Sequence, residues 1–248
     1  MSKLFRSICL TICVILFGLG SLLLNWIIFP LITLFCQDEI GKLKLFSFLV
    51  QNSWKFLIRL MILFNIFDLK ISDIDKLTNI KNAIVVSSHP SYIDVLILIA
   101  FIPKMTCFSA ERFTSNFFMN NIVKTLFITR GNSLEQMVAN AQKMLDFGFN
   151  VLIFPSGIRH KVNKYPKIRK GASLIALNSR KNIIPIKMTS DVEFLQINNS
   201  ICDAGSMKPH FNIIVKDEII TNEYIEAYPD EVDCKKELTS RISNELYL

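Results

Sequence analysis

The stretch "VVSSHPSYIDV" occupies residues 85–95. A β-branched run ends in two serines, and Pro90 and Ser91 open a new apolar segment. Proline is favoured in the first turn of a helix, so the stretch reads as strand, turn and helix. His89 falls in the turn and Asp94 in the first helical turn. An aspartate there is an ordinary partner for the helix dipole. It is also within reach of the imidazole, where it could hold one ring nitrogen and leave the other free as a base. H-x-x-x-x-D by itself recurs by chance, so the local pattern leaves both readings open.

The same strand–helix pattern continues on both sides. Strands are predicted at 83–87, 105–109, 126–128, 151–154, 183–187 and 211–215. Helices are predicted at 91–101, 115–123, 133–146, 172–180 and 231–246. Near-continuous apolar strands alternating with helices predict an α/β fold, a largely parallel sheet flanked by helices. In such sheets the site lies where strands end and helices begin. The His89–Asp94 turn and the turn at 154–159 both follow a predicted strand, so they are expected to converge on one edge.

The N-terminal region has a different character. The 248 residues allow one α/β domain with an appendage, or two small domains. They are 51% hydrophobic with mean hydropathy +0.37, and no charge occurs from Ser7 to Cys36. Residues 8–36 as one helix would measure about 44 Å, against about 30 Å for a bilayer core. Asn25 and Pro30 interrupt the run, so a tilted span, a kinked span or a re-entrant hairpin fits. Lys3 and Arg6 before residues 8–24 resemble a signal peptide, but no small-x-small cleavage site follows. A retained N-terminal apolar helical membrane segment is therefore expected. Within 45–67, Trp54, Leu57, Leu60 and Phe64 fall at helical spacing, which suits a helix on the membrane or on the domain. The expected division is a helical anchor over 1–68 and an α/β domain over 69–248.

Six cysteines, at 9, 13, 36, 107, 202 and 234, form no C-x-x-C pair, and the histidines are not near them. Neither a zinc site nor a disulfide framework is indicated. The net charge is +7, and no acid occurs between Asp146 and Asp191. That window holds Arg159, Lys161, Lys164, Lys167, Arg169, Lys170, Arg180, Lys181 and Lys187. It suits a phosphate site or a membrane-facing surface. No nucleic-acid motif or stacking pattern accompanies it, so nucleic acid is not an expected partner.

Further blocks follow the first. "LFITRGN" ends a strand in Arg130 and Gly131, and "FPSGIR" ends another in a Pro/Gly turn and Arg159. A basic loop then leads through a helix to a strand containing Pro185. With these blocks in this order, the chain resembles the lysophospholipid acyltransferase family, whose type case is the 1-acylglycerol-3-phosphate acyltransferase. The family's N-H-x-x-x-x-D block is matched from Ser88 to Asp94, and its F-I-x-R block by Phe127-Ile128-Thr129-Arg130. Its F-P-E-G-T-R block is matched by Phe154-Pro155-Ser156-Gly157-Ile158-Arg159, and its proline-centred strand by Ile184-Pro185-Ile186. The resemblance spans roughly residues 75–190.

The resemblance implies a glycerolipid acyltransferase-like fold and acyl transfer from a thioester to a lysophospholipid hydroxyl. The donor would be acyl-CoA or acyl carrier protein, acting as co-substrate, with no cofactor or metal. By family role His89 deprotonates the hydroxyl and Asp94 orients the imidazole. Arg130, Gly157 and Arg159 would hold the acceptor's phosphate, with Ser156 in the same substrate-binding turn. Arginine's planar fork suits phosphate oxygens. The chain departs from the pattern at Ser88 (family Asn), Lys124 (often Gly), Ser156 (family Glu) and Ile158 (family Thr). These departures keep a non-catalytic lipid-binding protein open as an alternative. A serine hydrolase using Ser156 is a further one, although the G-x-S-x-G elbow is absent. Lys3 and Arg6 on one side and Lys42 and Lys44 on the other leave the positive-inside rule nearly silent. Acyl donors are cytosolic, so a site on the cytoplasmic face is expected, with a re-entrant or monotopic anchor.

Overall fold

In the computed structural model, which describes residues 2–129, 133–157, 159, 166–195 and 200–248, the sheet is organised around one fully buried strand. That strand is β2 (Ile84–Ser87), preceded by β1 (Asp68–Ile71). The others are β3 (Met105–Ser109), β4 (Ile128–Thr129), β5 (Asn150–Ile153), β6 (Ile183–Ser190) and β7 (His210–Val215). Their spatial order is β1-β7-β6-β2-β5-β3-β4. All neighbours are parallel except β6 and β7. With both faces covered, β2 reads as the continuous apolar run Ile-Val-Val rather than an alternation. Pro185 sits inside β6, opposite Val86. Its carbonyl accepts from Lys216 N–H on the β7 side, so the N–H it lacks points to where the β7 ladder has already ended.

Helices cover both faces. They are α1 (Lys3–Leu23), α2 (Phe29–Phe35), α3 (Glu39–Leu63), α4 (Ile74–Thr78), α5 (Ile93–Phe101), α6 (Asn120–Leu126), α7 (Leu134–Asp146), α8 (Gly171–Ser179), α9 (Thr221–Ala227) and α10 (Glu231–Tyr247). Val85 faces the core shared with α1, α3 and α5, while Ile84 and Val86 face the one shared with α7, α8 and α10. The first core includes Cys9, Leu10, Phe46 and Ile58 together with Leu152 and Phe211 of the sheet. The N-terminal helices and the sheet therefore bury one continuous apolar interior.

Residues 8–36 do not fold back on themselves. Lys3–Phe35 is one helical run, so of the three arrangements the sequence allows, a hairpin is not formed within it; the next helix, α3, begins only after Cys36. Asn25 and Pro30 do not break the run because Leu24–Ile28 widens into a π turn. Phe29 N–H bonds to Leu24 O, five residues back, and Pro30, which has no N–H to give, follows at once.

The turn also delivers Asn25, fully buried, to the start of α6. Asn25 Oδ1 accepts from Asn121 N at 2.8 Å and Ile122 N at 3.3 Å. Asn25 Nδ2 donates to Asn120 Oδ1 at 2.7 Å, and Asn121 Nδ2 donates to Asn25 O at 2.8 Å. A residue distant in sequence thus satisfies the free N–H groups at the start of α6. This explains why that helix starts at Asn120, not near Ser115, and why β4 begins only at Ile128. The short elements β1, α4 and α9 carry no periodicity long enough to be read in sequence.

The other end of α1 is held too. Arg6, buried, donates from Nη2 to Gly205 O (2.8 Å) and Ser206 O (2.9 Å), and Ser7 Oγ accepts from Ala204 N. Lys3–Phe35 is long and apolar enough to cross a membrane, and only 28% of its most apolar window is buried. Ile8, Ile12, Ile15, Leu19 and Leu23 form part of its exposed face. On α3, Trp54, Leu57, Ile58 and Met61 are buried while Phe48, Phe56 and Leu63 are exposed. The segment thus packs on the domain through one face and leaves apolar side chains exposed on another.

Replacing Asn25 by alanine strands buried polar groups in α6. It should lower stability by about 1–3 kcal/mol, read as a shifted urea midpoint of the detergent-solubilised protein.

Candidate active site

His89 leaves the carboxyl end of β2, the central strand. Four hydrogen bonds fix the turn that carries it. Ser88 Oγ donates to Met188 O (2.7 Å) and accepts from Met188 N (2.8 Å), lacing the turn to β6. This is what serine does at the position where the family has asparagine. Ser91 Oγ donates to Phe194 O (2.7 Å) in the loop after β6. Ser91 N donates to Asp94 Oδ2 (2.8 Å).

The same Asp94 oxygen lies 3.1 Å from His89 Nδ1. The Asp94 side chain has no exposed surface, whereas His89 is 16% exposed. An ionised carboxylate only accepts, so Nδ1 carries the proton and Nε2 presents its lone pair. Nε2 makes no hydrogen bond among the described residues. The Phe154 ring stacks on the imidazole, with centroids 4.1 Å apart and planes at 23°. The ring is therefore held by a hydrogen bond at one edge and an aromatic ring on one face.

Phe154 follows β5, the neighbour of β2, so strand pairing brings the 154–159 turn beside His89. Pro155 takes the second position of a tight turn closed by Gly157 N–H to Phe154 O, 2.9 Å. Gly157 has φ +69°, a conformation that favours glycine. Arg159 then places its guanidinium over Tyr92, 3.1 Å from the ring centroid, a cation–π contact. Its Nη1 is buried and has no hydrogen-bond partner among the described residues. Burial pushes its pKa down from the ordinary arginine value, because desolvation penalises the charged form.

Ser156 is buried and lies beside the Tyr247 hydroxyl, near the C-terminus of α10. Burial pushes the Tyr247 phenol up, and the serine partly offsets this. Arg130 and Ile158 lie outside the described residues. β4, which leads to Arg130, is three strands from β2, or about 14 Å at the usual strand spacing. Lys124 is exposed on α6.

Other residues of this neighbourhood have no single-residue signal in the sequence. Tyr92 and Phe154 are neighbours of motif residues, and their ring contacts arise only in the fold. Arg169, one cation among nine in the basic window, packs against Gly157. An apolar cavity of about 120 Å³ also opens beside Tyr92, lined by Leu10, Val14 and Phe17 of α1, Leu57 of α3 and Leu96 of α5. Among the described residues no cluster of three or more His, Cys, Asp or Glu could hold a metal.

An imidazole–carboxylate pair beside an arginine-bearing turn, at the end of the central strand of a largely parallel sheet, forms a candidate active site. Residues 68–189 match the family model described as Acyltransferase. Over 96% of the chain and 95% of its counterpart, the structure resembles the crystal structure of the 1-acyl-sn-glycerophosphate (LPA) acyltransferase PlsC from Thermotoga maritima. The TM-score is 0.69 at 13% identity, so that likeness is one of fold, and it includes the N-terminal helices. Among curated proteins, none matches the chain in sequence. Residues 68–189 thus form an acyltransferase-family domain.

If His89 is the base, His89→Ala should cut acyl transfer by about 10²–10⁴-fold. The thermal midpoint should fall only modestly, since Ser91 N–H still holds Asp94 Oδ2. Asp94→Asn should also be severely impaired, because an amide can stabilise the wrong imidazole tautomer. Near-full turnover by the alanine variant would show that the imidazole only fills space.

Proposed function

We propose that the protein is an O-acyltransferase that moves a fatty acyl group from an acyl thioester to a lysophospholipid hydroxyl. The donor is acyl-CoA or acyl carrier protein, and 1-acylglycerol-3-phosphate is the model acceptor. The observation that carries this reading is the His89–Asp94 pair, 3.1 Å apart at the end of the central strand, with Arg159 on the adjoining turn, its Nη1 buried and without a hydrogen bond among the described residues.

In this mechanism Nε2 of His89 takes the hydroxyl proton as the oxygen attacks the thioester carbonyl. Asp94 stabilises the imidazolium that results. Collapse of the tetrahedral intermediate breaks the C–S bond, and the proton passes from His89 to the departing thiolate. Arg159 holds the acceptor's phosphate by charge-assisted hydrogen bonds, with Arg130 as a second contributor. The apolar cavity beside Tyr92 takes part of a fatty chain. Ser156 is not needed as a nucleophile, and its burial argues against a hydrolase role. In place of the family's acid it serves as a buried support of the turn.

The anchor is proposed to be monotopic. Arg6 and Asn25 are both tied to the α/β domain. Nineteen residues of helix separate them, about 28 Å at the usual rise. That is close to the thickness of a bilayer core. A helix fixed to one domain at both points lies alongside it and cannot cross the core with the domain on one side. Its exposed aliphatic face would rest in one leaflet, the cytoplasmic one, where acyl thioesters are made available.

Purified protein in detergent or nanodiscs, given acyl-CoA or acyl carrier protein and lysophosphatidate, should form phosphatidate detectable by mass spectrometry. His89→Ala protein should not. If neither donor yields product with any of several lysophospholipids, the catalytic reading fails. Arg159→Lys keeps the charge but loses the planar fork. It should reduce transfer to lysophosphatidate by about tenfold or more and reduce transfer to monoacylglycerol much less. An equal loss on both acceptors would assign Arg159 a structural role instead.

A further inference from the structure

The turn that ends in Arg159 receives a second guanidinium from outside it. Arg169 donates its backbone N–H to Pro155 O at 2.8 Å, which fixes its main chain against the turn. Its side chain crosses Gly157. A Cβ at that glycine would lie 3.2 Å from Arg169 Cζ, 3.3 Å from Nε and 3.4 Å from Nη1. Gly157 therefore does two things: it takes up φ +69° and leaves room for a planar cation.

Two arginines thus converge on one short turn. Neither forms an ion pair among the described residues, and Arg159 Nη1 is buried without a partner. The sequence from Phe147 to Ser190 contains no acid, and Ser156 puts a neutral group in the turn. Two cations on one short turn, with no acid in the surrounding sequence to offset them, leave a positive site that an anion would complement. Burial penalises the charged form at Arg159.

We infer that Arg169 is the second arm of a two-guanidinium phosphate clamp, with Arg159 as the first, and that it sets a preference for acceptors with a terminal phosphomonoester. The identity of the acceptor rests on the acyl-transfer reading, whereas the anion site does not. A phosphomonoester carries roughly −1.5 to −2 charge and three terminal oxygens, enough for two forks. A phosphodiester has one charge and two free oxygens, which a single fork satisfies. A neutral monoacylglycerol leaves both arginines without a counter-ion.

The test is Arg169→Gln in the full chain, with Arg169→Lys as the conservative control. Arg169 is exposed, so the ligand-free thermal midpoint should stay where it is. Glycerol 3-phosphate should raise the wild-type midpoint, and the glutamine variant should lose most of that shift. In turnover assays KM for lysophosphatidate should rise about tenfold or more with kcat little changed. Monoacylglycerol and lysophosphatidylcholine should change by about twofold or less, and lysine should restore only part of the loss.

The two readings fail separately. A glycerol 3-phosphate shift that Arg169→Gln abolishes, with no turnover of any acceptor, supports the clamp and removes acyl transfer. Turnover with an unaltered shift and unaltered KM overturns the clamp alone. A wild-type protein that glycerol 3-phosphate does not stabilise overturns it too. So does an equal loss on all three acceptors with a lowered ligand-free midpoint, which marks Arg169 as structural.

Discussion

Asp94 is a carboxylate with no exposed surface, and the architecture around it follows from satisfying that charge. A buried carboxylate without partners is too costly to keep ionised. Here Oδ2 accepts from His89 Nδ1 and Ser91 N, and the residue lies in the first turn of α5, where the helix dipole favours a negative charge. Those donors hold position only because the turn is tied down elsewhere. Ser88 grips both main-chain groups of Met188, and Ser91 grips Phe194 O. The imidazole thus inherits its orientation from β2, β6 and the loop after β6. Removing any one of these supports would loosen the ring before it altered the core.

The sheet was legible because its central strands are buried on both faces. Residues 83–87 and 183–187 stand out as short apolar runs, and their helices carry a helical period. The His89–Asp94 and 154–159 turns meet because β2 pairs with β5, an adjacency that strand alternation implies only as convergence on an edge. What was not legible depends on partners distant in sequence. Asn25 and Pro30 look like breaks in an apolar run, yet the π turn absorbs the proline and gives the asparagine a buried role at α6. Ser156 reads as a binding or nucleophilic group, and its contact with Tyr247 depends on where α10 ends. Arg169 is indistinguishable from the other cations of its window until Gly157 comes beneath it.

The electrostatic and apolar halves of the site meet at one ring. Tyr92 carries the Arg159 guanidinium over its face and also lines the apolar cavity between α1, α3 and α5. An aromatic ring suits this boundary. It accepts a cation through its π-face and still offers hydrocarbon area to an aliphatic neighbour. A ligand spanning the boundary must be charged at one end and aliphatic at the other. The lining of the cavity by α1 then gives the N-terminal helices a second role, since the helix with the exposed aliphatic face also walls this apolar space. On the proposed function, an acceptor whose phosphate is held at the Gly157 turn would turn its acyl chain toward that cavity, across the Tyr92 ring.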